Sequence, residues 1–305
     1  MITDKQASSI LSRSRAGKKQ AEIATSVGIN IATVNRILNE KTRVLVISDP
    51  HCDHVAGLTP PKWWSYRQLQ KKFASQMEEA WTWYSEAVKA LNPDVLFVMG
   101  DVTDGKGKRS EGSELITGQW KEQIKMGFEV LTAPCANRII MVYGTPYHVG
   151  DSGDDYEDLL ADKLRDNGYD VTIGGHEFPT VNGIQFDLKH KIGSSGIPHG
   201  RSTAIKKSKL WNTMWNEREQ QPNADILIRG HAHYFDYTGN QSWLGIICPA
   251  LQGWGSKYGV RQCEGIVDTG LLWFDIPKRA SSLEDVAWHW DIPRLNSQKV
   301  TAYEV

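Results

Sequence analysis

Four short apolar segments of the chain each end in polar residues, and this feature limits the possible fold more than any other. The segments are 44–48, 94–99, 138–143 and 225–229. Runs of this length are typical of buried strands. Helical patterns lie between them, at 65–91, 113–131, 155–167 and 203–215. Strands that alternate with helices predict an α/β fold, and such folds bind ligands beyond the carboxyl ends of their strands.

The remaining features describe an ordinary globular chain. Segments 271–276 and 286–292 alternate apolar and polar residues, which predicts a closing pair of strands. The sequence contains no apolar run of eighteen residues, so we expect no membrane association. The four cysteines form no C-x-x-C pair and the first twenty residues contain no secretory signal. We therefore expect a cytoplasmic protein. The sequence does not predict an oligomeric state.

Aspartate and histidine side chains dominate the positions that follow the predicted strands and the loops near them. These positions are Asp49, His51, Asp101, His190, His231 and His233. Carboxylates and imidazoles together suit divalent metals such as manganese, iron and zinc. The D-x-H and H-x-H pairs have a spacing of two residues, and on extended backbone such side chains point to the same side. Each pair is therefore predicted to reach one metal ion.

Two metal ions close together would explain this number of ligands. A single buried Asp or His is usually a hydrogen-bonded structural residue, but the whole series in this order is not expected by chance. One carboxylate can bridge two ions, and Asp101 lies between the two halves of the series. A metal pair ~4 Å apart holds a phosphate group and lowers the pKa of a bound water toward ~7. The pattern predicts a two-metal hydrolase that acts on phosphoester bonds.

The motif series D-x-H, G-D-x-x-D, a glycine turn, a lone His and G-H-x-H resembles the calcineurin-like metallophosphoesterase superfamily. The resemblance extends over residues 43–276. It implies a four-layer fold, in which helices flank a β-sandwich, and two divalent ions. Manganese is the expected ion, with iron, zinc and nickel as alternatives. The resemblance also implies that Asp49, His51 and His233 bind the first metal, that Asp101 bridges, and that His190 and His231 bind the second.

The third motif of the family is altered in this chain. Its usual form is G-N-H-[DE], in which Asn binds the second metal and His assists the leaving oxygen. Here the segment reads Gly144-Thr145-Pro146-Tyr147-His148. Thr145 occupies the position of the metal-binding Asn, although a hydroxyl is a poorer ligand. With Asp101, His148 is the other candidate catalytic residue, but it fits three roles: leaving-group acid, replacement metal ligand, or neither. The G-T-x-x-H form resembles phage-encoded members, which suggests a phage or prophage product.

Basic side chains near these motifs are candidates for substrate binding. Arg109 follows the Asp101 motif, and His199 and Arg201 lie in the loop after His190. All three are predicted to contact substrate phosphate, with a solvated loop as the alternative.

The N-terminal segment has a different character from the rest of the chain. Residues 1–43 contain eight Lys or Arg against three Asp or Glu, whereas the whole chain has a net charge of −1. Helices are predicted at 20–27 and 31–39, with a turn at Gly28 and an N-cap at Asn30. The pattern A-x-x-V-G-I-x-x-x-T-V-x-R-I-L resembles the helix-turn-helix of resolvase and invertase DNA-binding domains.

This resemblance divides the chain into a DNA-binding head, 1–41, and a phosphoesterase body, 42–305. It implies that the following side chains contact DNA: Lys18, Lys19, Thr33, Asn35 and Arg36. The alternative is a helical hairpin that packs on the body. Nucleic acid is the expected partner and, with nucleotides, the expected substrate. A phosphomonoesterase for phosphoproteins or small phosphates, and a DNA-binding regulator with a degenerate body, are the other functions considered.

Overall fold

The computed structural model describes residues 3–64, 68–106, 110–148, 155–256, 259–260, 265–296, 302 and 304. Arg109, a predicted substrate contact, lies outside the described residues. None of the helices within these ranges is long and apolar enough to cross a membrane.

Three helices at the N-terminus pack around a small core of their own. They are α1 (Asp4–Arg15), α2 (Gln20–Val27) and α3 (Ile31–Asn39). Gly28 ends α2 with a φ of 70°, and the Asn30 side chain caps α3 by accepting a hydrogen bond from the backbone N–H of Ala32. Both predicted helices and both predicted caps are confirmed; α1 was not predicted. The buried residues are Ile10, Ile23, Ala24, Val34, Ile37 and Leu38.

The rest of the chain forms two sheets. The first has the order β11-β10-β1-β2-β3-β4, and the second has the order β5-β6-β7-β9-β8. The strands of the first sheet are β1 (Lys41–Ile47), β2 (Val95–Val98), β3 (Arg138–Val142), β4 (Asp170–Gly174), β10 (Leu271–Pro277) and β11 (Ala287–Asp291). Those of the second are β5 (Thr180–Val181), β6 (Ile184–Lys189), β7 (Ile226–Arg229), β8 (Asp236–Asn240) and β9 (Trp243–Ile247).

Helices cover the outer faces of the two sheets. The longer helices of the body are α4 (Gln68–Leu91), α5 (Trp120–Thr132), α6 (Tyr156–Asp166) and α7 (Thr203–Glu217). Short 3-10 helices occupy Pro61–Trp63, Pro198–Gly200 and Leu283–Asp285. In β1, Leu45 and Ile47 pack with the α4–α6 side, whereas Val44 and Val46 pack toward the second sheet. Burial on both faces explains why the second half of β1, from Val44 to Ile47, is a continuous apolar run.

An apolar core lies between the two sheets and holds them together. The ring of Phe186 on β6 packs edge to face against Phe97 on β2 and Phe274 on β10, with ring centroids 5.2 and 5.4 Å apart. All three side chains are fully buried. Edge-to-face pairs of this kind contribute about 1 kcal/mol each beyond the burial of their surface. The layers are therefore helices, sheet, sheet and helix, which confirms the predicted four-layer α/β class.

The predicted helix at 113–131 was wrong in its first seven residues, because α5 begins only at Trp120. Residues before it turn around the buried carboxylate of Asp53. That carboxylate accepts hydrogen bonds from the backbone N–H groups of Thr117, at 2.7 Å, and Gly118, at 2.9 Å. These bonds replace the intrahelical bonds that a longer α5 would make. The predicted helices at 155–167 and 203–215 are confirmed as α6 and α7 within a few residues.

Candidate metal centre

Loops from both sheets meet at one end of the sandwich and bring the predicted ligands together. Asp49 and His51 follow β1, Asp101 follows β2 and His190 follows β6. The other two candidate ligands, His231 and His233, follow β7. Parallel pairing of β1 with β2, and of β6 with β7, places these strand ends side by side. The four residues named here are almost fully buried, and His231 and His233 are partly buried.

The first group of ligand atoms belongs to Asp49, His51 and His233. The Nε2 atom of His233 lies 3.2 Å from both the Asp49 Oδ1 atom and the His51 Nε2 atom. The Asp49 and His51 atoms are 3.8 Å apart. Three such atoms around one point form a binding place for a divalent cation. This is the set that the family resemblance implied for the first metal.

A second and a third group extend the cluster. Asp101, His190 and His231 form the second, in which His190 Nε2 lies 3.1 Å from Asp101 Oδ2. His51, Asp101 and His148 form the third, and within each group the ligand atoms lie within 4.8 Å of one another. The first and third groups share His51, and the second and third share Asp101. They are therefore one continuous cluster, with Asp101 between its two ends.

Two buried atoms test whether a cation fits this cluster. Asp49 Oδ1 and His190 Nε2 make no hydrogen bond of acceptable geometry with the residues that the structure describes, although His233 Nε2 and Asp101 Oδ2 lie 3.2 and 3.1 Å from them. Nearly all buried polar atoms are paired, and an unpaired one costs about 1–3 kcal/mol. Divalent ions would satisfy both atoms, since a carboxylate oxygen and an imidazole nitrogen are good ligands for them. The residues therefore fit a metal centre.

The backbone of the ligand loops differs from the prediction. We expected extended backbone at the D-x-H and H-x-H pairs, and this was wrong. Asp49, His51, His231 and His233 have φ values of 51°, 46°, 70° and 56°, and Asp101 has 51°. This left-handed region costs about 1–2 kcal/mol for a residue with a Cβ atom. Strain of this kind persists where the surrounding structure enforces it. Here Asp49 and His51 reach the same ligand group, whereas His231 and His233 reach two different groups, so the prediction that the H-x-H pair reaches one ion was also wrong.

Hydrogen bonds behind the ligands fix their orientation. The Nδ1 atom of His51 lies 3.0 Å from the Asp104 carboxylate, and that of His190 donates to the carbonyl of Met99. Each Nε2 atom is thereby free to face a metal. The Ser48 hydroxyl donates to Asp49 Oδ2. Sequence reasoning missed this role of Asp104, although it is the last residue of the G-D-x-x-D motif.

Charge coupling within the metal-free cluster is strong. Burial disfavours the charged form of His51, but the nearby carboxylates of Asp104 and Asp49 outweigh burial and raise its pKa to about 10. Burial is likewise outweighed at His190, where Asp101 raises the pKa to about 9. These histidines therefore carry protons at neutral pH when no ion is bound. A divalent cation at this cluster would have to displace those protons.

The altered third motif contacts the same cluster. The backbone N–H of Thr145 donates to Asp101 Oδ1 at 2.6 Å, and its hydroxyl lies 3.1 Å from the same oxygen. Thr145 thus supports the central carboxylate through hydrogen bonds. His148 packs its ring edge on His51, with centroids 4.6 Å apart. Its Nδ1 atom donates to the Asp104 carbonyl at 3.1 Å, which leaves Nε2 to face a ligand or substrate.

Glu157, on α6, joins the two loops that carry Asp101 and Thr145. Its carboxylate accepts from the backbone N–H of Val102 at 2.9 Å and from that of Gly144 at 2.7 Å. Burial, helped by the charge of Asp101, raises the pKa of Glu157 to about 8. The sequence offered no signal for this role, since acidic residues are common in the first turn of any helix.

Comparisons with known proteins find likeness at the level of solved structures. No family model matches the chain, and no curated protein is similar to it in sequence. A novel archaeal phosphodiesterase is similar with a TM-score of 0.43 and 14% identity, over 83% of this chain and 100% of that one. Vps29 of Entamoeba histolytica in complex with zinc is similar with a TM-score of 0.41 and 14% identity, over 82% of this chain and 99% of that one. YfcE, a phosphoesterase from E. coli, is similar with a TM-score of 0.41 and 14% identity, over 86% of this chain and 97% of that one. Likeness of this degree assigns no activity, and the functional proposal rests on the metal centre.

Glycine at position 144 allows the third-motif turn to approach the central carboxylate. A Cβ atom there would lie 2.1 Å from Asp101 Oδ1 and 2.4 Å from Asp101 N. We expect Gly144→Ala to lower the free energy of unfolding by about 1–3 kcal/mol, a typical effect of overpacking, and to reduce bound metal. Thermal unfolding and elemental analysis measure both effects. Gly175→Ala is the control, because no described atom lies within 4 Å of its Cβ position. Equal losses in both variants would contradict this account.

The predicted substrate contacts occupy different surroundings. Arg201 lies over the ring of Tyr234, 4.4 Å from its centroid, and Tyr234 directly follows His233. The Nε atom of Arg201 is buried and has no hydrogen-bond partner in the described part of the chain. His199 is exposed in a 3-10 helix. The structure therefore brings Arg201, but not His199, against a residue adjacent to a candidate ligand.

The predicted DNA contacts lie on the surface of the N-terminal helices. Lys18 and Lys19 are exposed between α1 and α2, and Arg36 is exposed on α3. Thr33 and Asn35 are half-buried. The Oδ1 atom of Asn35 is buried without a hydrogen-bond partner in residues 3–64 or the other described ranges. The inward positions predicted for Val34, Ile37 and Leu38 are confirmed by their burial.

Proposed function

We propose that this protein is a divalent-metal-dependent phosphoesterase that hydrolyses phosphodiester bonds in nucleic acid or nucleotides. One observation carries the proposal: three groups of metal-ligating atoms overlap pairwise, through His51 and through Asp101, and form one largely buried cluster. A structural role would not require so many ionisable side chains with strained backbone and unpaired atoms. The motif order that resembles calcineurin-like metallophosphoesterases, in a phage-type form, agrees with this proposal.

Two ions, with manganese proposed first and iron, zinc or nickel as alternatives, would supply an activated water and would polarise the phosphoryl oxygens. Asp49, His51 and His233 would hold one ion, His190 and His231 would hold the other, and Asp101 would contact both. Hydrogen bonds from Thr145 keep the Asp101 carboxylate in place. Metal identity and number are part of the proposal.

The remaining polar groups act on the substrate. His148 is proposed to assist the leaving oxygen through Nε2, because its Nδ1 proton is committed to the Asp104 carbonyl. Arg201 is proposed to bind a non-bridging phosphate oxygen, since guanidinium groups recognise phosphate well. Its guanidinium lies over Tyr234, which directly follows the candidate ligand His233, and this position supports the role. Arg109 and His199 stay predictions from the sequence.

A substrate panel tests the proposed reaction. The purified full chain with Mn²⁺ is assayed against labelled single-stranded DNA, duplex DNA, RNA, bis(p-nitrophenyl) phosphate and p-nitrophenyl phosphate. Metal-dependent cleavage of diesters well above the monoester is expected. Preference for the monoester would favour a phosphomonoesterase. If no substrate is hydrolysed, either without metal or with it, the result would favour a DNA-binding regulator whose body has no activity.

DNA binding by the N-terminal helices is a second proposed function. The left-handed turn at Gly28, the N-cap at Asn30 and the exposed basic side chains support it. A recognition helix at α3 would present its first turns to the major groove. The lysines before α2 would contact phosphates and supply much of the affinity.

Replacement of Lys18 and Lys19 by Ala in the full chain is therefore expected to weaken duplex binding. Each lost phosphate contact reduces the magnitude of the slope of log affinity against log salt concentration by about one. The slope of the double variant should therefore be smaller by about two. Fluorescence anisotropy at several salt concentrations measures this slope. Lys206→Ala with Lys207→Ala, an exposed pair on α7, is the control. A salt slope equal to that of the unmodified chain would reject the DNA-binding role.

A further inference from the structure

Four aromatic side chains cluster where the edge strands of the two sheets meet. They are Phe235, Tyr237, Trp288 and Trp290, and we name this cluster the aromatic platform. β8 and β11 are the end strands of the described sheets, and Tyr237 lies on β8 while both tryptophans lie on β11. Neighbouring ring centroids are 5.0–5.9 Å apart.

Core packing accounts for only half of the platform. Phe235 and Trp288 are partly buried and pack against the core between the sheets. Tyr237 and Trp290 instead keep 48% and 45% of their surface exposed. The rings of Phe235, Tyr237 and Trp290 are tilted by only 35–43° to one another. Exposed large rings with similar orientations offer flat faces to a ligand.

The platform is tied to the metal centre through a short fixed segment. Phe235 follows His233 by two residues, a distance of at most about 7 Å along the chain. Asp268 fixes this segment at both ends, because its backbone N–H donates to the His233 carbonyl at 2.9 Å and its carboxylate accepts from the Phe235 N–H at 2.8 Å. The Phe235 end of the platform is therefore held close to the metal centre, and the exposed rings of Tyr237 and Trp290 pack against Phe235.

We infer that the aromatic platform binds unpaired nucleobases of a single-stranded nucleic acid whose phosphate lies at the metal centre. This inference rests on the proposed phosphodiesterase function and specifies its substrate. Every base has a π-face, and stacking on aromatic side chains is the main sequence-tolerant way in which proteins hold single strands. A base in a duplex already stacks on its neighbours. The platform therefore favours single-stranded over duplex substrates.

The test compares two single strands that differ only in their bases. One is a labelled oligonucleotide, and the other has the same length with tetrahydrofuran abasic analogues around the cleaved bond. The full chain with Mn²⁺ should cleave the normal strand about tenfold more efficiently, in kcat/KM, than the abasic strand, because stacking of one base on an aromatic side chain has about this effect. Trp290→Ala and Tyr237→Ala should each remove most of this ratio, whereas Trp290→Phe should keep it.

Trp215→Ala, which removes an exposed indole from α7, is the matched control and should keep the ratio. Equal cleavage of both strands by the unmodified chain would overturn the inference while the phosphodiesterase function stands. The same holds if bis(p-nitrophenyl) phosphate is hydrolysed but no strand is cleaved, or if platform variants change only the oligomeric state in sedimentation. Absence of metal-dependent hydrolysis of any diester would instead reject the proposed function itself.

Discussion

Asp101→Asn is expected to lower kcat for phosphodiester hydrolysis by at least about a thousandfold. Asp101 is shared by two of the three ligand groups, so its charge acts on both ends of the cluster. An amide can still accept from Thr145, but its NH2 group would face His190 and could not bind a cation. Loss of charge stabilisation by several kcal/mol corresponds to a thousandfold or more in rate.

Steady-state kinetics with bis(p-nitrophenyl) phosphate and Mn²⁺ measures this effect. Metal content and thermal midpoint are recorded on the same preparation, because a folded variant with less metal is the predicted state. Asp162→Asn is the control, since that carboxylate is exposed and pairs with Arg165 on the surface of α6. A fully active Asp101→Asn enzyme would show that this carboxylate is not at the centre of the reaction.

His148→Ala is expected to reduce hydrolysis of alkyl phosphodiesters by about 100–10,000-fold and that of activated aryl diesters far less. General acids contribute about this factor, and only poor leaving groups need their proton. Burial and the charge of His51 lower the pKa of His148 in the metal-free protein. A bound anionic phosphate acts in the opposite direction and favours the protonated ring.

The two substrates in one variant separate the possible roles of this residue. A leaving-group acid predicts the large difference between alkyl and aryl esters with unchanged metal content. A metal ligand predicts lower metal content and similar losses for both esters. Equal activity of variant and unmodified protein on both substrates would exclude His148 from the chemistry, even though its ring contacts His51.

Most of the candidate ligands were within reach of the sequence because they follow conspicuous apolar strands, whereas His190 follows the mixed strand β6, and its role as a ligand came only from the family resemblance. Runs such as those of β1 and β7 are buried on both faces, so their limits are sharp, and the polar residues that follow them stand out. The turn between α2 and α3 could also be predicted from the sequence, since Gly28 and Asn30 have specific backbone preferences. Local chemistry at these positions agrees with the global fold.

Other parts of the site depend on contacts between distant segments. Glu157 reads as an ordinary helix-start acid, and only the packing of α6 brings its carboxylate to Val102 and Gly144. The left-handed backbone of the ligands is also enforced by tertiary structure, because isolated Asp and His residues disfavour it. β4, β5, β6 and β8 were not predicted, since these strands mix polar with apolar residues. β9 was also missed, although it is apolar apart from Gly245.

Removal and return of metal tests the central claim most directly. The full chain is treated with EDTA, dialysed, and titrated with Mn²⁺ while hydrolysis of bis(p-nitrophenyl) phosphate and bound metal are followed together. The account predicts no hydrolysis after chelation and full recovery as bound manganese approaches two ions per chain. Undiminished hydrolysis by the chelated protein, with no metal bound, would contradict it.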